Sequence, residues 1–188
     1  FASSLSLSFS RVQCVPDMLP SDILGVNFFD MKQNEFRFIK GPVFTNVLLA
    51  DEINRAMPKT QSGLLECMEE HQVSVDGTTY KLEEPFMVIA TQNPVETKGT
   101  FDLPEAQLDR FLLKVKMGYP TAEENIRILS RFEKDDPLSS LIPVADTNDI
   151  KKAREEVKSV FIHHDLLAYI SEIVGFTRYK QGVVLGAS

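Results

Sequence analysis

The chain has 188 residues, 43% of them hydrophobic and 25% charged, a globular composition that excludes a disordered or fibrous protein. Acidic residues outnumber basic ones 27 to 20, giving a formal charge of −7 that argues against sequence-independent nucleic-acid binding as the main activity. The longest apolar runs, such as Phe86-Met87-Val88-Ile89-Ala90, are far too short to span a bilayer.

Two cysteines, Cys14 and Cys67, cannot make a disulfide framework, and a reducing cytoplasm is the simpler reading. Residues Phe1 to Ser8 have no basic start and no long apolar stretch, so they do not read as a secretory signal. With no initiator Met, the chain reads as a piece of a longer protein.

Strand and helix signals alternate as far as residue 118. Phe9 to Val15 alternates apolar and polar residues, as a strand does. Gly25 to Ile39 holds two apolar-aromatic runs around Lys32-Gln33-Asn34, which predicts a hairpin. Asn46-Val47-Leu48-Leu49-Ala50 has the composition of a strand buried on both faces. Lys59 to His71 predicts a helix, with Pro58 suited to its first position and Leu64, Leu65 and Met68 at helical spacing. Val73 to Leu82 alternates around Asp76-Gly77, a strong hairpin signal. Phe86–Ala90 and Phe111–Met117 predict two further strands. Strands separated by helices imply an α/β fold with a parallel sheet. Beyond Gly118-Tyr119-Pro120, three helical segments are expected at Ala122–Phe132, Asp149–Val160 and His164–Phe176. They would form a small helical domain, residues 119–188, after a core of residues 1–118.

Ligands of open parallel sheets bind beyond the carboxyl ends of the strands. The strand at Val47–Ala50 runs into Asp51-Glu52, that at Phe86–Ala90 into Thr91-Gln92-Asn93-Pro94, and Asp109-Arg110 precedes the last strand signal. Two carboxylates, an amide and a guanidinium suit a metal-assisted attack of water on a phosphate. A lone Asp-Glu after a strand more often opens a solvated loop or caps a helix. An isolated Arg110 would equally suit an exposed pair with Asp109 or Glu105.

The wider pattern favours the chemistry. Asn46 to Ala56, with Pro58-Lys59-Thr60-Gln61 after it, resembles the Walker B segment of the MoxR family of AAA+ ATPases. Ala90-Thr91-Gln92-Asn93-Pro94 resembles that family's sensor 1 strand end, and Leu103 to Phe111 its arginine-finger segment. Pro16 to Asp22 and Glu35 to Pro42 resemble its early region, so the likeness runs along essentially the whole chain. The resemblance implies that Asp51 binds Mg²⁺, Glu52 polarises the attacking water, Asn93 senses the γ-phosphate of ATP, and Arg110 reaches into a neighbouring subunit. It also implies a homo-oligomeric ring, hexameric by analogy. The ring would remodel or mature a protein client, such as a metalloenzyme or a complex containing a von Willebrand A domain. The hairpins at 25–39 and 73–82 would face the ring's pore.

Some features lie outside that scheme. Adjacent residues of a helix point to different faces, so His163-His164-Asp165 does not read as a metal site. His71 reads as a helix-end residue and the two cysteines as packing groups. No Gly-Lys pair of a phosphate-binding loop occurs, and the chain stops in Val183 to Ser188 before a sensor 2 arginine, which reads as truncation. The same resemblance implies that the strand entering a phosphate loop would lie between the sensor 1 strand and the last core strand. Without it, Phe9–Val15, Val47–Ala50 and Phe86–Ala90 are expected to pair as one parallel sheet. Phe111–Met117 should then stand apart across about 10 Å, leaving Met87, Ile89 and Leu113 exposed. Such a fragment should be unable to hold ATP. Two alternatives remain: a non-hydrolysing scaffold of the same shape, and a related motor acting on DNA, which the acidic balance disfavours.

Overall fold

The computed structural model describes residues 1–93, 99–132, 137–183 and 186–187. Pro94, the last residue of the sensor-like segment, and residues 184, 185 and 188 at the C-terminal end lie outside them.

Three strands, β1 (Phe9–Gln13), β4 (Val47–Asp51) and β7 (Met87–Ala90), form one parallel sheet in the order β1-β4-β7. The register sets Phe9 beside Val47 and Gln13 beside Asp51 on one side of β4, and Val47 beside Met87 and Ala50 beside Ala90 on the other. Val47, Leu48 and Ala50 are buried, as an apolar run flanked on both sides requires. The expected three-strand pairing is what the chain adopts.

Helix α2 (Pro58–Glu70) starts with Pro58 and buries Leu64, Leu65 and Cys67 in the same core as Leu48 and Ile53. It ends at His71, whose φ of 51° turns the chain out of the helix while its amide closes on Cys67 O at 3.0 Å. Gln61, buried inside α2, donates from Nε2 to the carbonyls of Ile53 (3.2 Å), Ala56 (3.1 Å) and Phe101 (2.8 Å). One amide thus holds both the loop after β4 and a later loop against the helix. A five-residue helix, α1 (Pro20–Leu24), had no sequence signal long enough to announce it; Pro20 opens it and the Asp22 carboxylate accepts the Leu19 amide at 2.8 Å.

Both hairpins form. β2 (Gly25–Asp30) pairs with β3 (Glu35–Lys40), and β5 (Gln72–Val75) with β6 (Thr78–Lys81). Asp76 and Gly77 both take positive φ, 50° and 78°, as the tight turn between β5 and β6 demands. At the base of the first hairpin Gly25 has φ 104°, and a Cβ there would sit 2.4 Å from Ile39 O, so only glycine fits. The hairpins are joined: Phe38 stacks on Tyr80 with centroids 4.1 Å apart, and Asn27 Nδ2 donates to Asp76 Oδ2 at 2.9 Å.

The strand expected at Phe111–Met117 does not form. The segment makes no ladder with any described strand, and Leu112 (95% exposed) and Met117 (91%) face solvent. Strand identity depends on a neighbour to receive backbone hydrogen bonds, and none of the described strands offers it one. β7 is an edge of the described sheet, with Met87 48% and Ile89 40% exposed. A single turn, α3 (Glu105–Leu108), precedes that segment, and α4 (Ala122–Arg131), α5 (Thr147–Lys158) and α6 (His164–Tyr179) follow it, each within a few residues of its expected limits. None of the described side chains of α4, α5 and α6 is buried.

The chain divides into two compact units, Phe1–Asp149 and Ile150–Ser188, with α4 in the first. Gln61→Met, which keeps the volume and removes the donor, should lower unfolding stability by about 1–3 kcal/mol, because the carbonyls it bridges lose that shared donor, Ile53 O keeping the Ala56 amide. Denaturant titration of the complete protein reads this directly, and an unchanged midpoint would deny Gln61 its bracing role.

Candidate functional site

The polar groups of interest gather where the three parallel strands end. β4 delivers Asp51 at its last position, and the chain then reverses through Glu52, whose φ of 54° and ψ of 49° are left-handed. A non-glycine residue in that region costs about 1–2 kcal/mol. The turn is secured by a full set of backbone partners. Asp51 O accepts the Cys14 amide at 2.9 Å, Ala50 O accepts the Thr91 amide at 3.0 Å, and Thr91 O accepts the Ile53 amide at 2.9 Å. The Glu52 amide, turned out of the ladder, donates to Thr91 Oγ1 at 2.9 Å.

Both carboxylates are held from the neighbouring strands. Asp51 Oδ2 takes Arg11 Nη2 at 2.5 Å and Nε at 3.2 Å, while Oδ1 takes the Thr91 hydroxyl at 2.5 Å. Glu52 Oε2 takes Gln13 Nε2 at 2.9 Å and Arg55 Nη1 at 3.1 Å. Asn93 follows β7, and buried Asn54 clamps its backbone, donating to Asn93 O at 3.2 Å and accepting its amide at 3.4 Å. Asp51, Glu52 and Asn93 therefore lie on adjoining strand ends, as expected of them.

The hydrogen bond from Thr91, then that from Arg11, hold the Asp51 carboxyl below its ordinary value of 3.8. Beneath the site, Cys14 is fully buried and its thiol is pushed up to about 11, first by burial and then by the negative charges of Asp51 and Glu52. Cys67, in α2, is raised to about 12, chiefly by burial. Both thiols stay protonated and act as small apolar groups.

The donor set is one of hard oxygens. No cluster of three or more His, Cys, Asp or Glu side chains able to hold a metal occurs among the described residues. One or two carboxylates without a protein cage suit Mg²⁺, which keeps its waters and shares itself with substrate phosphates. His163 is instead the N-cap of α6, its Nδ1 accepting the Asp165 amide at 3.3 Å.

Arg110 is elsewhere. It lies in a shallow cleft of about 290 Å³ along α2, lined also by Ser62, Glu66 and Gln107, and pairs with Glu69 Oε2 at 3.1 Å. The sequence offered Asp109 and Glu105 as partners; α2 brings Glu69 to it. Sequence reasoning also passed over Arg11 and Gln13, and left Thr91 without a role. The signal for the first two was a pair of polar residues at alternate positions on the strand beside β4, around buried Val12.

Residues 1–113 match the model of the ATPase family associated with various cellular activities. The whole chain is 50% identical over 187 residues to an uncharacterized protein, YeaC, of Bacillus subtilis, covering 58% of that protein. It is 44% identical over 197 residues to the chaperone MoxR1 of Mycobacterium tuberculosis, again over its full length and 52% of that protein. The chain thus spans a little over half the length of these curated relatives. A crystal structure of a "putative ATPase" from Cytophaga hutchinsonii superposes with a TM-score of 0.83 at 43% identity, covering 94% of this chain and 53% of that one.

The depressed Asp51 value has a measurable consequence. A carboxylate lowered on folding adds stability above its unfolded value, and that stability is lost as pH falls through the folded value. Asp51 should therefore still be ionised just below pH 3.8, and Arg11→Ala should move its titration upward. A carboxyl-carbon NMR titration in both proteins checks this; an unmoved Asp51 in the variant would remove Arg11 from the account.

Proposed function

This chain belongs to the MoxR family of AAA+ ATPases, and on that footing we propose that the complete protein hydrolyses ATP in a ring-shaped oligomer to remodel or mature other proteins. The observation that carries the reading is the turn at Asp51-Glu52. Two carboxylates stand side by side at the end of a buried strand, the second in left-handed backbone, with Thr91 and Asn93 on the adjoining strand end.

In this reading Asp51 holds the water shell of Mg²⁺, and the cation supplies charge neutralisation at the phosphates. Glu52 takes the proton of the attacking water through a carboxylate oxygen, and Gln13 and Arg55 fix where that oxygen points. Asn93, its backbone clamped by Asn54, orients the water and reads the γ-phosphate. Arg110, which lies beside α2 and away from Asp51 and Glu52, serves a neighbouring subunit's nucleotide. Its exposed pair with Glu69 is worth about 0–1 kcal/mol and holds it only lightly.

Residues 1–118 act as the catalytic core and 119–188 as part of a helical lid. The paired hairpins, whose far end exposes Phe29, Met31 and Phe36, contact the protein client. That client belongs to the class of metalloenzymes or von Willebrand A complexes, and the ring is a hexamer. No described helix is long and apolar enough to cross a membrane. Two buried free cysteines support a cytoplasmic setting. The 188 residues alone, without a Gly-Lys loop for the phosphates, do not turn over ATP.

In the complete protein, Glu52→Gln should abolish turnover while Mg²⁺ and ATP still bind, because the amide keeps the shape and loses the base. Asp51→Asn should weaken Mg²⁺-dependent binding as well. Parental turnover in Glu52→Gln would defeat the assignment. Arg110→Ala should cost roughly 10³-fold or more in kcat. Mixing Arg110→Ala with Glu52→Gln subunits should restore part of the activity, since each lacks only one half of a shared site. Mixed rings that form yet stay inactive would rule out action across the subunit boundary.

A further inference from the structure

The Thr91 side chain is bonded to both candidate carboxylate residues. Its hydroxyl has a single proton and gives it to Asp51 Oδ1 at 2.5 Å; a lone pair of the same oxygen accepts the Glu52 amide at 2.9 Å. The backbone of Thr91 brackets the same turn, its amide on Ala50 O at 3.0 Å and its carbonyl on the Ile53 amide at 2.9 Å. Four consecutive residues of the turn, Ala50 to Ile53, are thereby bonded by the one residue that follows β7.

We propose that Thr91 is a positioning residue for ATP hydrolysis, its hydroxyl fixing the plane of the Asp51 carboxylate and the left-handed backbone of Glu52 together. This rests on the reading of Asp51 and Glu52 given above. Arg11 already occupies Asp51 Oδ2, so Thr91 on Oδ1 leaves the carboxylate no freedom to rotate about its last bond. At Glu52 a positive φ points the amide away from the ladder, and the Thr91 oxygen is the acceptor that meets it there. A residue that merely capped the strand would need no side-chain bond to a carboxylate. Thr91 touches no reacting atom; it acts through the two groups it holds.

The test uses the complete protein with three variants and two readouts besides turnover. Thr91→Val keeps the shape and loses the hydroxyl, Thr91→Ser keeps the hydroxyl, and Asp51→Asn controls the site itself. Outer partners of metal and catalytic ligands are worth about 10–100-fold. Thr91→Val should lower kcat by that factor while KM for ATP moves less than about threefold. Mn²⁺ affinity in the presence of a non-hydrolysable ATP analogue, read by electron paramagnetic resonance, should fall by a similar factor. Thr91→Ser should return both to within about threefold of the parent, with all variants matched for unfolding midpoint. If Thr91→Val folds poorly, Thr91→Ala removes the same hydroxyl and is judged by the same readings. Parental kcat and Mn²⁺ affinity without the hydroxyl, or a folded Thr91→Ser as impaired as Thr91→Val, would overturn the proposal. Those outcomes alongside lost Mn²⁺ binding in Asp51→Asn would overturn it alone. Undiminished Mn²⁺ binding in Asp51→Asn would overturn the site reading and this inference with it.

Discussion

The rest of the structure depends on β4 being buried on both faces and flanked on both edges. A strand in that position has neither water nor a free edge, so Val47, Leu48 and Ala50 must be apolar and small enough to pack. Polar chemistry can appear only where the strand surfaces, at its carboxyl end. Parallel pairing then fixes what joins it, since every strand of the sheet surfaces on the same side. The register that puts Gln13 beside Asp51 and Ala90 beside Ala50 brings Arg11 and Gln13 from one neighbour and Thr91 from the other. The site is assembled by strand register, and a slip of one residue in either neighbour would turn the helping side chains to the opposite face.

Two adjacent carboxylates repel, and the fold answers this one charge at a time. Arg11 faces Asp51 and Arg55 faces Glu52. The thiol of Cys14 behind the site is raised by burial and by the negative charge of both. Exposed arginine pairs contribute little net free energy, so their effect is to orient the carboxylates rather than to stabilise the fold. Buried partners would have held the charges harder at a larger desolvation cost.

What could be read from the sequence follows from how local each signal is. The strand at Val47–Ala50, the helix opened by Pro58 and the turn at Asp76-Gly77 are each dictated within about ten residues, and each forms as expected. The place of Asp51 and Glu52 was legible because a buried apolar run that ends in two carboxylates marks where a strand surfaces, while their reading as site residues came from the resemblance of the neighbouring segments. Phe111–Met117 was expected to stand apart for want of a neighbouring strand, and it pairs with none of the described strands; an apolar segment without a partner then takes no strand form at all. Arg11, Gln13 and the role of Thr91 escaped for a different reason. Their meaning lies in contacts 39 or 40 residues away in sequence, set by register alone. Glu69 was hidden likewise, being one of several acidic residues on α2 until the fold places Arg110 beside it.

The two hairpins show how the same sheet serves more than its own site. In the chain, β5 and β6 come directly between α2 and β7, and the bond from the Leu82 amide to His71 O at 3.0 Å ties their base to the end of α2. The other hairpin joins them through the Phe38–Tyr80 stack and the Asn27–Asp76 bond. Phe44, beneath, completes the aromatic cluster at 5.6 Å from Phe38 and 6.4 Å from Tyr80, three residues before the start of β4. Both hairpins are therefore fastened to the elements that enter and leave the carboxylate turn. A displacement at Asp51-Glu52 carried by α2 or β7 would meet packed rings rather than slack loops.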